Sequence, residues 1–153
     1  MATDARTWEL PIDTGSMPEN GTEFDAIIVG GGPGGSSAAG YLAKGGNLKK
    51  MISEIYGKET GCAGGKGGSM HLIDINAGLI AAVPIVGSTI PIGVGLAWAN
   101  KLDMSKKIVV IFFGEGATEE GVFYESINFA ALHSLPVLFV CENNYFSVYS
   151  NLS

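Results

Sequence analysis

Residues 107–144 read KIVVIFFGEGATEEGVFYESINFAALHSLPVLFVCENN. Lys107–Phe113 is a near-continuous β-branched and aromatic run, the composition of a strand covered on both faces. Val137–Cys141 is a second such run, expected to be fully buried as well. Between them, Glu119–His133 has the length and composition of a helix. Thr118 stands where a cap would, Glu119 and Glu120 suit the positive end of the dipole, and Pro136 enforces the break afterwards. Strand, helix and strand in this order predict a βαβ unit with parallel strands, and so an α/β fold with a parallel core.

Ligands of open α/β sheets bind beyond the carboxyl ends of parallel strands. The first strand ends in Gly114-Glu115-Gly116 and the second in Glu142-Asn143-Asn144. The intervening helix returns the chain, so the two ends can be neighbours. A carboxylate and a carboxamide meeting there are both oxygen donors, which suits Mg²⁺. The glycines beside Glu115 permit close approach of a diphosphate, and a helix start at Thr118 would offer N–H groups to the same anion.

Phe24–Val29 (FDAIIV) is a short apolar run ending in glycines, the pattern of a buried strand. Leu48, Met51, Ile52, Ile55 and Tyr56 follow helical spacing, which predicts an amphipathic helix with Lys49, Lys50, Ser53 and Glu54 on its other side. Thr60–Ser69 (TGCAGGKGGS) has five glycines in ten residues and cannot be regular structure. Ala77–Ala99 is apolar but broken by Pro84, Gly87, Pro91, Gly93 and Gly95, which predicts a buried loop followed by a helix over Ser88–Leu102. Residues 1–23 carry Pro11, Gly15, Pro18 and Gly21 among polar residues and are expected to form a flexible tail.

The spacing around Glu115 carries a family resemblance. Thiamine-diphosphate enzymes share a Gly-Asp-Gly, then some 26 residues, then Asn-Asn; this chain has Gly114-Glu115-Gly116, 26 residues (117–142), then Asn143-Asn144. The segments YLAKGGNLKKMISEIYGKETG (41–61), GGKGGSMHLID (64–74) and PIVGSTIPIGVGLAWANK (84–101) resemble the alpha subunit of pyruvate, branched-chain and acetoin dehydrogenases, in that family's order. The resemblance covers about 41–153 and implies a partial thiamine-diphosphate-binding domain. It implies Mg²⁺ ligation by Glu115, the Asn144 side chain and the Phe146 main-chain carbonyl. It also implies diphosphate contacts from the backbone of Gly116 and Ala117, and aminopyrimidine contacts from the main chain around Pro84 and Val86. His71 would lie near the cofactor pocket, where a structural hydrogen bond is its simpler role and catalysis the sharper one. Lys66, among the glycines, could neutralise a phosphate, with a solvated loop as its simpler place. The family usually has Asp at the place of Glu115, so one extra methylene must be absorbed. The family's partners would be a beta subunit, which supplies the glutamate that activates the aminopyrimidine, and a lipoyl carrier that takes the acyl group. The chain alone would then be inactive. The resemblance further implies that about half of the usual subunit is present, without the later loop that carries an active-site histidine.

Residues 24–44 (FDAIIVGGGPGGSSAAGYLAK) instead resemble the FAD-binding opening of flavin-dependent monooxygenases, halogenases and reductases, with Gly30, Gly32 and Gly35 as the dinucleotide fingerprint after a strand. That implies a Rossmann-like strand-turn-helix ahead of the thiamine-type domain. The fingerprint needs an acidic residue ending a second strand about 20 residues on. Glu54 falls near that place but in a segment of helical period, so FAD binding is the lesser expectation. The two resemblances overlap on Gly40-Tyr41-Leu42-Ala43-Lys44-Gly45-Gly46, the string at which two coding sequences would have been joined.

The remaining bulk features exclude more than they assign. Nine basic against 15 acidic residues give a net charge of −6, which argues against non-specific nucleic-acid binding. No run matches a membrane span or a secretory leader, so a cytoplasmic protein is expected. Cys62 and Cys141 have no metal-ligand spacing and are expected to be reduced thiols.

Overall fold

The computed structural model describes residues 26–30, as backbone, and 45–151. Its centre is a four-stranded sheet. The strands are β1 (Ala26–Gly30), β2 (Leu79–Val83), β3 (Val109–Gly114) and β4 (Val137–Glu142), in the order β2-β1-β3-β4. Every pairing is parallel. The helices are α1 (Leu48–Ile55), α2 (Thr89–Leu102) and α3 (Gly121–Leu132). The expected α/β fold with a parallel βαβ core is therefore present. A short antiparallel pair, β5 (Phe146–Ser147) with β6 (Ser150–Asn151), follows β4.

Alternation along β3 divides its contacts between two layers, because successive strand side chains point to opposite faces. Val109, Ile111 and Phe113 are buried with Ile90, Val94 and Ala97 of α2 and Ala130 of α3. Phe112, from the other set, packs against a smaller cluster of Met51, Leu72, Ala77 and Leu79. Burying side chains of this size stabilises by about 1.5–3 kcal/mol each relative to exposure. Trp98 of α2 and Phe129 of α3 meet edge to face with centroids 5.0 Å apart, and His133 packs on both rings.

Several local expectations need correction. Leu79–Val83, read as loop, is a strand: five consecutive apolar residues pair with β1 between two turns. β4 is not fully buried; Leu138 is 53% exposed, because among the described residues β4 pairs only with β3 and forms the sheet's edge. The stretch Glu115–Glu119 is a 3₁₀ turn, and α3 starts later, at Gly121. Thr118 does not cap it: its hydroxyl donates to the Glu115 carbonyl at 2.6 Å. The largest departure is α1, whose buried residues are Met51 and Glu54, while Leu48, Ile52 and Ile55 stay nearly half exposed. Met51 and Glu54 lie three apart, on one face. That face meets the glycine-rich loop, which presents backbone N–H donors, and a carboxylate satisfies those where leucine cannot. No helix among the described residues is long and apolar enough to cross a membrane. The tail, the segment Gly31–Lys44 and the joining string up to Lys44 lie outside the described residues.

Candidate functional site

The register of the sheet builds the site. Gly114 pairs with Glu142, so the carboxyl ends of β3 and β4 lie side by side. Beyond them opens a cleft of about 580 Å³, within the usual range for ligand sites. Val86, Glu115, Gly116, Ala117, Asn144 and Phe146 all line it, together with Glu142 and Asn143. These are residues from three separate sequence segments, brought together as the strand-end argument requires.

Glu115 is half-buried, and its Oε1 is the one buried side-chain oxygen or nitrogen among the described residues without a hydrogen-bond partner. Leaving a buried acceptor unsatisfied costs about 1–3 kcal/mol, more for a charged group. An orphaned carboxylate oxygen on a residue that lines a cleft is a candidate cation ligand. The two asparagines have one bond each that shapes the loop after β4. Asn143 Oδ1 accepts from the Tyr145 N–H and Asn144 Oδ1 from the Phe146 N–H, both at 2.8 Å. An amide oxygen has two lone pairs, so Asn144 Oδ1 keeps one for a cation. The loop itself is tightly wound, with Tyr145 at φ 67° and Val148 at φ 58°. Left-handed backbone is uncommon for a β-branched residue and marks strain at this wall of the cleft.

Gly116 fits its place closely: a Cβ there would collide with the Ser147 hydroxyl, and Ser147 also lines the cleft. The 3₁₀ turn at Glu115–Glu119 lines it where the start of α3 was expected to. Among the described residues no three His, Cys, Asp or Glu side chains gather as a metal cluster. A cation here would be held by one carboxylate, one carboxamide, a main-chain carbonyl and oxygens of its ligand, a set suited to Mg²⁺ rather than zinc.

The other candidate residues, so far as they are described, are not among those lining the cleft. Pro84 is exposed and does not line the cleft, although Val86, two residues on, does. His71 is exposed on the segment leaving the glycine-rich loop and is not part of the lining. Lys66 is exposed. Gly30 ends β1, paired with Val83; Gly32 and Gly35 lie outside the described residues. Glu54, the acidic residue nearest the ribose-binding spacing, sits on a helix and gives both carboxylate oxygens to loop amides. Cys62 and Cys141 are both free thiols. Partial desolvation pushes the Cys141 thiol up, and the negative charges of Glu115 and Glu142 push it further. Sequence reasoning missed Ser147, whose only signal is its nearness to the Asn-Asn motif.

A family model described as "Dehydrogenase E1 component" matches residues 36–151. The chain belongs to the dehydrogenase E1 family. It is 47% identical over 103 residues to the alpha subunit of acetoin:2,6-dichlorophenolindophenol oxidoreductase from Bacillus subtilis, covering 67% of this chain and 31% of that protein. It is 40% identical over 108 residues to the mitochondrial pyruvate dehydrogenase E1 alpha-2 subunit of Arabidopsis thaliana, covering 71% and 28%. The corresponding subunit of Rickettsia felis is 46% identical over 100 residues, covering 65% and 31%. The matched part thus amounts to under a third of these relatives' length, less than the half expected. As an E1 chain, it keeps the Gly114–Gly116 and Asn143-Asn144 pair inside the matched region, and the cleft between them is its candidate site.

Proposed function

We propose that the chain forms the diphosphate- and metal-binding half of a thiamine-diphosphate site, as part of the alpha subunit of a 2-oxo acid or acetoin dehydrogenase. The observation that carries this reading is the unpartnered Oε1 of Glu115, a residue that lines a cleft together with Asn144 and the glycine-flanked turn. Glu115, the Asn144 side chain and the Phe146 carbonyl would hold Mg²⁺. The N–H groups of Gly116 and Ala117 would face the diphosphate, and the main chain at Val86, which unlike Pro84 lines the cleft, the aminopyrimidine. When bound, thiamine diphosphate supplies the carbon chemistry of 2-oxo acid decarboxylation or acetoin cleavage. The residues of this chain would bind and orient it. The substrate class, pyruvate-like or acetoin-like, follows the names of the relatives.

A beta subunit would complete the pocket and supply the carboxylate that acts on the aminopyrimidine, and a lipoyl carrier would receive the acyl group. The chain alone is then a binding half without turnover. Residues 24–44 are read as the opening of a flavoprotein joined to residues 41–153 at the Gly40–Gly46 string. FAD binding is the weaker reading, because Glu54, its ribose-binding candidate, is committed to the loop amides. Equilibrium dialysis of the purified chain against thiamine diphosphate with and without Mg²⁺, and against FAD, tests the choice. Retention of thiamine diphosphate only with Mg²⁺ supports the proposal; a retained yellow flavin, or retention of neither, rejects it.

A further inference from the structure

Glu54 is the only fully buried ionisable residue among the described residues. Its Oε2 accepts the Ala63 N–H at 2.7 Å and the Gly65 N–H at 2.9 Å, and its Oε1 accepts the Gly67 N–H at 2.6 Å. These three donors come from alternate residues of the glycine-rich loop, so the loop curls around the carboxylate as a nest of amides curls around an anion. The wrap is close: a Cβ at Gly61 would overlap Glu54 itself, and one at Gly67 would lie 2.6 Å from the His71 carbonyl oxygen. Among the described residues no side-chain cation pairs with it, and its bonds are to loop amides. The charged and titratable neighbours on α1 and the loop, namely Lys49, Lys50, Lys58, Glu59, Lys66 and His71, are all exposed, and Cys62 and Asp74 are half-buried. The backbone dipoles of the loop therefore do the balancing.

We propose that Glu54 is an internal anion that holds the glycine-rich loop 61–68 in its folded path, so that neutralising it releases the loop, up to His71, as one unit. Glu54 is a positioning residue. The loop leads directly into Leu72, whose side chain is buried with Met51, Ala77 and Leu79 in the small core. Leu79 begins β2, and β2 ends at Val83, three residues before Val86 at the cleft. The loop thus fixes the approach of the chain to one wall of the site. The inference rests on α1 and its loop alone and does not depend on which cofactor the cleft takes.

Burial by itself raises the Glu54 carboxyl, but the amides of Gly65, Ala63, Gly67 and Gly68 outweigh it and hold the group below the ordinary glutamate value. The sign follows. The stabilisation is complete above the unfolded chain's carboxyl titration and is lost as pH falls through the lower, folded one. The test is an NMR acid titration of the full chain, following amide shifts and exchange protection, together with Glu54→Gln at neutral pH. The expected result is one shared midpoint for Ala63, Gly65 and Gly67, below the ordinary glutamate range, with loop protection lost there while Val109 and Ile111 keep theirs. In Glu54→Gln the loop amides should lose protection about tenfold or more, as loss of charge-assisted bonds requires, and show no acid midpoint. Separate midpoints for the three amides, loop protection lost only together with that of β3, or unchanged protection in Glu54→Gln would each overturn the proposal. Should Glu54→Gln not fold, the wild-type titration decides alone.

Discussion

Replacing Gly65 by alanine tests the packing of the glycine-rich loop against the end of α1, with Gly64→Ala as its internal standard. Both glycines have left-handed backbone, φ 75° at Gly65 and φ 67° at Gly64. Alanine in that conformation costs about 1–2 kcal/mol, partly offset by about 0.4–1 kcal/mol from restricting the unfolded chain. These terms are common to the two variants and cancel in their difference. The surroundings do not cancel. A Cβ at Gly64 meets nothing within 4 Å, whereas one at Gly65 would lie 2.5 Å from the Gly57 carbonyl carbon and 2.7 Å from the carbonyl oxygens of Gly57 and Lys58. Those are backbone atoms, which no rotamer change can move aside. Overpacking of this kind costs about 1–3 kcal/mol. Gly65→Ala should therefore be less stable than Gly64→Ala by about 1–3 kcal/mol, read from urea unfolding followed by far-ultraviolet circular dichroism. For a chain of this length the difference corresponds to roughly 2–12 °C in Tm. Equal stabilities for the two variants would show that the loop does not pack on residues 57–58, and the account of the Glu54 nest would fall with it.

Three further outcomes are expected. Glu115→Asp, which restores the shorter side chain, should tighten Mg²⁺-dependent ligand binding several-fold, because Mg²⁺ tolerates geometric error poorly; unchanged affinity would show that the loop absorbs the extra methylene at no cost. Gly95→Ala, at an exposed position of α2 with nothing within 4 Å of the added Cβ, should raise stability by about 0.5–1 kcal/mol, and a loss would mean that this helix face is covered in the isolated chain. Cys141, whose thiol is held up by desolvation and by Glu115 and Glu142, should react with iodoacetamide at pH 8 more slowly than a free cysteine. Glu142→Gln should speed it, and equal rates in the two chains would remove the electrostatic explanation.

The parts legible in the sequence were those where one physical signal dominated. β3 announces itself because Val109–Phe113 is β-branched and aromatic throughout, and the site follows from where β3 and β4 end. The 26-residue spacing between Gly116 and Asn143 is the crossover that sets Gly114 beside Glu142. Signals that depend on a distant partner were misread. Leu79–Val83 has a strand's composition, but the glycines and prolines after it suggested a loop, and only pairing with β1 decides the matter. Helical spacing puts Glu54 on the side of α1 opposite the apolar stripe, and charged residues are seldom buried unless paired. Its partners are backbone amides, which leave no charge pattern in the sequence beyond the glycines that expose them. Thr118 resembled a cap, yet its hydroxyl closes the preceding 3₁₀ turn instead, a choice between two neighbouring carbonyl and amide groups that composition does not resolve.

Glu115 is proposed as the metal-binding carboxylate of a thiamine-diphosphate half-site. The most direct test is calorimetric titration of the full chain with thiamine diphosphate, with and without Mg²⁺, in wild type and Glu115→Ala. Saturable binding that needs both Mg²⁺ and the Glu115 side chain is the predicted result. No binding by the wild type, or binding that survives either Mg²⁺ removal or Glu115→Ala, would contradict it.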